Sequence, residues 1–469
     1  MKKIKNLFKE SADMTVGNPT KLIILFMIPM LIGNIAQQMY NTVDSIIVGR
    51  YVGDNALAAV GSVGSIFNLV TVLFIGISVG VSIVVAQYVG AKDRQNITYT
   101  IGSCFILLLI SSLLLMIIGP MISRPLLQML NTPDAILDWS VSYLNIMLLG
   151  ISGMAFYNIL CGIMRGMGDS ISPLKYLLIA TILNIILDFV FVVYLDLQVA
   201  GVALATIIAQ MVSAILCIKK LFSMHDVFDF HFKDIRFHKA QAMSIIKLGL
   251  PAGLTQMIFS LALVVMQPLS NSHGEMFIAS NIIVMRVDGF AMMPSISFGT
   301  ALTTFVGQNV GAKKFDRIIE GAKKGTIVAL ITSIIITTLL LLFGRSLIAI
   351  FTKTPALIDL SMELLIILSL GYLAMAITQS LSGVMRGAGD TISPMWISII
   401  SSVIIRVPLA YILTDLTKTP DLPHGLSHVL YISLLISWII GAILSIIVYN
   451  RKKWLKIAIN SKKEVSNAC

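Results

Sequence analysis

The sequence predicts an all-α membrane protein with twelve transmembrane helices in two pseudo-symmetric six-helix lobes. Three observations carry that expectation. The chain of 469 residues is 57% hydrophobic and 12% charged with a mean hydropathy of +0.91, far above the roughly 45–50% apolar content of soluble domains. Its apolar runs, such as 101–118 and 327–343, suit a helix crossing a layer of about 30 Å and are too long for barrel strands of about 10 alternating residues. A long motif also occurs twice: Gly-Ile-Met-Arg-Gly-Met-Gly-Asp-Ser-Ile-Ser-Pro at 162–173 returns as Gly-Val-Met-Arg-Gly-Ala-Gly-Asp-Thr-Ile-Ser-Pro at 383–394.

Taken in order, the spans of the first half fall at 21–49, 55–89, 97–122, 135–164, 171–195 and 199–222. Those of the second fall at 242–269, 276–310, 318–348, 356–385, 392–416 and 425–449. Gln-Tyr-Val-Gly-Ala-Lys at 87–92 reappears as Gln-Asn-Val-Gly-Ala-Lys at 308–313, and Pro29 answers Pro251. Six spans per copy is an even number, so both copies enter the membrane the same way up and substrate sites are expected between them. The domain reading is a terminus at 1–20, lobes at 21–222 and 242–450 joined by a linker at 223–241, and a basic, mobile tail at 451–469.

The formal net charge of +11 is a topology signal. Most basic residues fall in the termini and even-numbered connections. Arg50, Arg124, Arg345, Lys353 and Lys418 stand on the other side, and Arg286 and Arg406 fall inside spans. The bias places both termini in the cytoplasm and removes the case for nucleic acid as a partner. The basic start runs into an apolar stretch too long for a signal-peptide core and without a small-residue cleavage site, so the first helix is expected to be retained. The linker, with His225, Asp226, Asp229, His231, Lys233, Asp234, Arg236 and His238, reads as a solvated cytoplasmic segment, because its histidine spacing matches no ligand pattern. Cys104, Cys161, Cys217 and Cys469 lack disulfide or metal spacing and read as small apolar side chains.

Polar residues inside spans carry the functional signal, because an ionisable group at a helix centre costs at least about 2.5–3.5 kcal/mol. In the first span Asn34, Gln37, Asn41 and Asp44 form one stripe at helical spacing, with Tyr40 a turn before Asp44. The stripe faces a cavity, or else serves as a helix-packing ladder. The fifth span places Thr181, Asn184 and Asp188 on one face. Two carboxylates with neutral oxygens suit Na⁺, and a carboxyl in a low dielectric suits H⁺. The first half has no intramembrane Lys or Arg to pair with these acids. The second half carries Arg286, Asp288 and Arg406 with Gln256 and Gln267. Arg286 and Asp288 are two apart and cannot face each other, which suggests an interhelical Asp288–Arg406 pair, either structural or functional. In the doubled motif, glycines close helices, Asp169 or Asp390 caps the next helix, and Arg165 and Arg386 act as positive-inside anchors. Pro29, Pro251, Pro268, Pro294 and Pro408 kink or hinge their spans. The 25 methionines supply adaptable apolar surface.

These residues resemble the multidrug and toxic compound extrusion (MATE) family over roughly residues 19–449. The resemblance rests on Asp44 followed by Val48 and Gly49, the Gln-x-Val-Gly-Ala-Lys pair and the doubled Met-Arg-Gly-x-Gly-Asp. Arg-Val-Pro-Leu-Ala-Tyr at 406–411 resembles the bacterial branch related to the DNA-damage-inducible members. The resemblance implies V-shaped six-helix lobes exporting organic, often cationic and amphipathic, compounds in exchange for H⁺ or Na⁺. It implies a cation site at Asp44, Asn184, Asp188 and Thr206, where Na⁺ is the possible metal, and a bend at Pro29. Substrate contacts are expected from Gln37, Tyr40, Asn41, Gln256, Gln267, Arg286, Asp288 and Arg406. Gln267 and Thr378 or Gln379 stand where other members place acids, so a second cation site is not expected. No cofactor beyond the coupling ion and no obligate protein partner is expected, and the setting is the plasma membrane of a prokaryote.

The alternative is a lipid-linked oligosaccharide flippase of a related class, which would need more intramembrane Arg or Lys than Arg286 and Arg406. An enzyme is disfavoured for want of acidic clusters such as DDxxD in a loop. An ATP-driven pump is disfavoured for want of a phosphate-binding loop.

Overall fold

A computed structural model describes residues 12–130, 132–224, 228 and 230–466. Linker residues His225, Asp226 and Asp229 lie outside them. The described chain is helical apart from one isolated bridge between Thr419 and Leu422. The first half runs α1 (Pro19–Ile47), α2 (Asp54–Ala91), α3 (Arg94–Met129), α4 (Asp134–Leu149), α5 (Ile151–Gly166), α6 (Ile171–Asp188) and α7 (Gln198–Phe222). The second runs α8 (Lys239–Ser272), α9 (Glu275–Gly311), α10 (Phe315–Ile348), α11 (Pro355–Ser369), α12 (Gly371–Gly387), α13 (Ile392–Ile399), α14 (Arg406–Leu416), α15 (His428–Asn450) and α16 (Lys453–Ser466). Ten described spans are long and apolar enough to cross a membrane, and twelve result if α4 with α5, bent by 50°, and α11 with α12, bent by 44°, each count as one. The bends recur at the same place in both copies, so the duplication extends to backbone geometry.

Three π-helical stretches interrupt the spans: Val48–Val52 after α1, Phe189–Tyr194 after α6 and Ile400–Ile405 before α14. Such wide turns shift the helix register and commonly mark functional positions. Here Asp188 is the last residue before one and Arg406 the first after another.

The chain divides into two compact units, one built mainly of Ile28–Gly253 and the other of Met14–Met27 with the chain from Leu254 onward. The division falls inside α1 and α8, close to the paired Pro29 and Pro251, and not in the 223–241 linker expected from the sequence. In the first unit an apolar core gathers Val81, Ile101, Leu160, Ile163 and Met164. In the second, Val284, Leu364, Leu368, Tyr372 and Trp438 do the same. Leu109, Ile110, Leu113, Leu114 and Ile117 of α3 stay exposed, as a lipid-facing helix requires.

The doubled motif is a helix-ending device. Gly168 and Gly389 take φ values of 86° and 94°, a region that favours glycine. Asp169 then accepts from the Ile171 and Ser172 amides at 3.0 and 2.9 Å, and Asp390 from the Ser393 amide at 3.0 Å. Burial raises the Asp169 carboxyl above its usual range, against the pull of these donors. Arg165 and Arg386 differ from the expected anchors: each lies in the last turn of its helix with Nε sealed from solvent.

Two other expectations are corrected. The linker is docked on the first unit and is not freely solvated. Phe228 and Phe230 are buried, Phe230 packs with Phe105 and Phe222, and the His238 ring stacks on Tyr99 at 3.9 Å. Aromatic side chains among the linker's charges supply the apolar area for this. The tail forms α16, whose Trp454 is buried, stacks on Tyr449 and donates to the Tyr449 carbonyl at 2.9 Å.

Within the first unit, Gly76 and Gly80 of α2 meet Gly249 and Gly253 of α8 backbone to backbone, the small-residue contact expected between membrane helices. A Cβ at Gly80 would lie 2.6 Å from the Gly249 nitrogen and the Ile245 carbonyl oxygen. Gly80→Ala is therefore expected to destabilise the protein by about 1–3 kcal/mol. Gly61→Ala, where nothing lies within 4 Å, is expected to be neutral or stabilising, and thermal unfolding of the two purified variants checks the contrast.

Candidate functional site

The polar stripe of α1 and the polar face of α6 converge inside the first unit. Asn184 and Asp188 are fully buried, Thr206 of α7 and Tyr40 are nearly so, and Asp44 is half-buried. The two carboxyl groups are in direct hydrogen-bonding contact, an arrangement that needs a proton or another cation between them, since like charges at that distance repel strongly. One amide atom of Asn184 lies 2.9 Å from Asp44 Oδ1 and 3.2 Å from Asp188 Oδ2. With nitrogen in that place the amide donates to both carboxyls. Turned over, it brings a third oxygen to the same point, which a bound cation would make favourable. The other amide atom lies 3.5 Å from Thr206 Oγ1, and Tyr40 Oη donates to the same oxygen at 3.2 Å. A chain of hydrogen bonds therefore runs from Tyr40 through Thr206 and Asn184 to the acids.

Tyr143 of α4, not singled out from the sequence, is buried in the electrostatic field of both Asp44 and Asp188. Its span also carries Asp138, Ser140, Ser142 and Asn145, so the phenol did not stand out. Thr181 does not join the cluster, because its hydroxyl donates to the Leu177 carbonyl of its own helix at 2.9 Å. Asp188 Oδ1 has no hydrogen-bond partner among the described residues. No group of three or more His, Cys, Asp and Glu residues gathers among those residues, so the donor set is two carboxyls with neutral oxygens. That set fits a proton or a hard monovalent cation.

The remaining candidates divide. In the second unit Asp288 lies in the field of Arg406 and beside the Tyr372 hydroxyl, while Tyr431 donates to Asn281 Oδ1 at 2.6 Å close by. Asp288 and Arg406 are thus brought together, without a contact within the 4 Å of a close ion pair. Arg286 is exposed on another face of α9. Gln267 donates to Asn271 of its own helix at 2.9 Å, Gln256 lines a cavity in the second unit, Asn41 is exposed and Gln37 half-buried. Pro29 is buried inside α1.

A doubled bundle of membrane helices with an acid pair inside its first unit points to a membrane transporter. Comparison with known proteins gives the family: a model of the MatE family matches residues 29–190 and 251–412, one match per copy, and the chain belongs to that family of membrane transporters. It is 28% identical over 402 residues to the probable multidrug resistance protein YoeA of Bacillus subtilis, covering 84% of this chain and 87% of that one. It is 24% identical over 449 residues to the probable multidrug resistance protein NorM of Thermotoga maritima, covering 95% of each. The fold is shared with the outward-facing conformation of a multidrug resistance MATE family transporter at a TM-score of 0.87 and 23% identity, covering 97% of this chain and 99% of that one. A MOP superfamily transporter from Pyrococcus furiosus, whose binding pocket is described as having reverse polarity, matches at 0.87 and 23%, covering 96% and 99%.

The network makes a stability prediction. Asn184→Leu or Thr206→Val strands buried polar partners and is expected to cost about 1–3 kcal/mol. Thr181→Val is expected to stay within about 0.5 kcal/mol. Thermal midpoints of the three variants, measured under one set of conditions, check the ranking.

Proposed function

We propose that this transporter exports organic, cationic and amphipathic compounds in exchange for H⁺ or Na⁺, with the coupling ion held by Asp44, Asp188, Asn184 and Thr206. The observation that carries the proposal is the contact of two carboxyls, one buried and one half-buried, bridged by one amide. A cation between them removes a large repulsion, and its departure leaves a negative site for a cationic drug to occupy or sense. Exchange by alternating access requires that ion and drug bind with mutually unfavourable coupling. The names of YoeA and NorM as probable multidrug resistance proteins support the substrate class. Asn184 gives the two ions distinct signatures: its NH₂ faces the carboxyls when a proton is shared, and its oxygen faces them when Na⁺ is bound.

The positive charges of the even-numbered connections support a setting in the plasma membrane with both termini in the cytoplasm. Gln37, Tyr40, Asn41, Gln256, Gln267 and Arg286 are proposed as substrate contacts, with Asp288 and Arg406 as a second polar centre and Pro29 as a hinge. A flippase groove is less well supported, because Arg406 is buried beside Asp288 and not presented to a pyrophosphate.

The test is ethidium efflux from cells expressing wild type, Asp44→Asn or Asp188→Asn, with a Na⁺ or an H⁺ gradient imposed separately. Wild-type efflux driven by one gradient and reduced at least about tenfold in both variants is expected. Unchanged efflux in properly inserted variants would remove the acid pair from coupling.

A further inference from the structure

The two copies treat the arginine of the doubled motif differently. In the first unit Arg165 Nη2 donates to Ser78 Oγ at 3.2 Å. The residue corresponding to Ser78 in the second copy is Gly299: Gly162 packs against the Ser78 backbone, and Gly383 packs in the same way against Gly299. Arg386 has therefore lost the hydroxyl that Arg165 uses. Its guanidinium forms no hydrogen bond or ion pair with any described residue, its Nε is sealed from solvent, and no acid acts on it electrostatically.

A cavity of about 50 Å³ opens beside this guanidinium, entirely within the second unit. Its walls are rich in hydroxyls where the first copy has bulk: Ser382 corresponds to Cys161, Thr378 to Tyr157 and Ser398 to Leu177. Ser382, Ser398 and Ser402 make no side-chain hydrogen bond to a described residue, although Ser398 and Ser402 are buried. The volume exceeds the roughly 10–15 Å³ that one water needs and is far below the about 300 Å³ of a drug site. Arg386 is half-buried with its Nε sealed; an arginine stays charged, and holding it partly away from water without a counter-charge is unfavourable.

We propose that the second unit binds a small inorganic anion, chloride at physiological composition, between Arg386 and the hydroxyls of Ser382, Ser398 and Ser402. The anion supplies the counter-charge that the protein omits and accepts hydrogen bonds from hydroxyls that donate to no described residue. It is a structural ligand of the lobe, separate from the acid pair, although Gln256, proposed above as a substrate contact, lines the same cavity.

The experiment is thermal unfolding of the purified, detergent-solubilised transporter as chloride replaces gluconate at constant ionic strength. The wild type is expected to rise by roughly 2–4 °C with a saturable chloride dependence. Arg386→Gln is expected to lose that dependence, and Ser402→Ala to raise the half-saturating chloride concentration about tenfold. Because Arg386→Gln can fail to fold, Ser398→Leu gives a second arm: it fills the cavity as Leu177 does in the first copy, and should fold yet no longer respond to chloride. A wild type indifferent to chloride, or a folded Ser398→Leu protein with an undiminished chloride response, would overturn the proposal.

Discussion

Two carboxyl groups held in contact inside a helical membrane lobe, with no fixed cation beside them, set the terms for the first unit. Asp44 and Asp188 cannot both be ionised at hydrogen-bonding distance in a low dielectric without a cation between them. A lysine or arginine there would have satisfied the pair permanently and made it structural. No Lys or Arg acts on either acid, so the pair needs a shared proton or another cation to offset the repulsion. Asn184 makes this tolerable by offering either a donor or an acceptor to the same two oxygens, and Tyr40, Thr206 and Tyr143 surround the pair from three helices.

Duplication supplied the frame on which this asymmetry is drawn. Both copies keep the bent fourth span, the glycine-closed turn and the capping aspartate, features that build helices and carry no transport chemistry. The polar residues of the site do not repeat: Asp44, Asn184 and Asp188 have Val265 or Met266, Ile405 and Leu409 at the corresponding positions. In the second copy the acid Asp288 has Arg406 in its field, a fixed positive charge that does not act on the acids of the first copy. Placing Asp188 before a π-helical stretch and Arg406 after one gives each charged residue a local register that a regular helix would not provide.

Much of this was legible in the sequence because bilayer physics leaves few choices. The length of apolar runs gave the spans, the even number per copy gave the parallel repeat, and the spacing of Asp44, Asn184 and Asp188 gave two polar faces. What could not be read was the pairing of faces across helices. Periodicity put Thr181 with Asn184 and Asp188, yet Thr181 bonds its own backbone and the hydroxyl at the acids comes from α7. Thr206 was reached through family resemblance, and Tyr143 was missed because it stands among Asp138, Ser140, Ser142 and Asn145 with nothing in the spacing to single it out. The linker was misread because its charges outnumber its phenylalanines, although Phe228 and Phe230 decide where it docks.

The contrast between Asp288 and Asp44 also bears on which copy can couple transport to an ion. A charge answered by a neighbouring side chain changes little in free energy when a monovalent cation approaches, because the cation must compete with an arginine already in the field. An acid pair without such a neighbour has a large differential affinity for the occupied and unoccupied states, and a ligand can shift a conformational equilibrium only by its differential affinity. That difference is the physical reason for proposing the first copy as the one that couples transport to an ion.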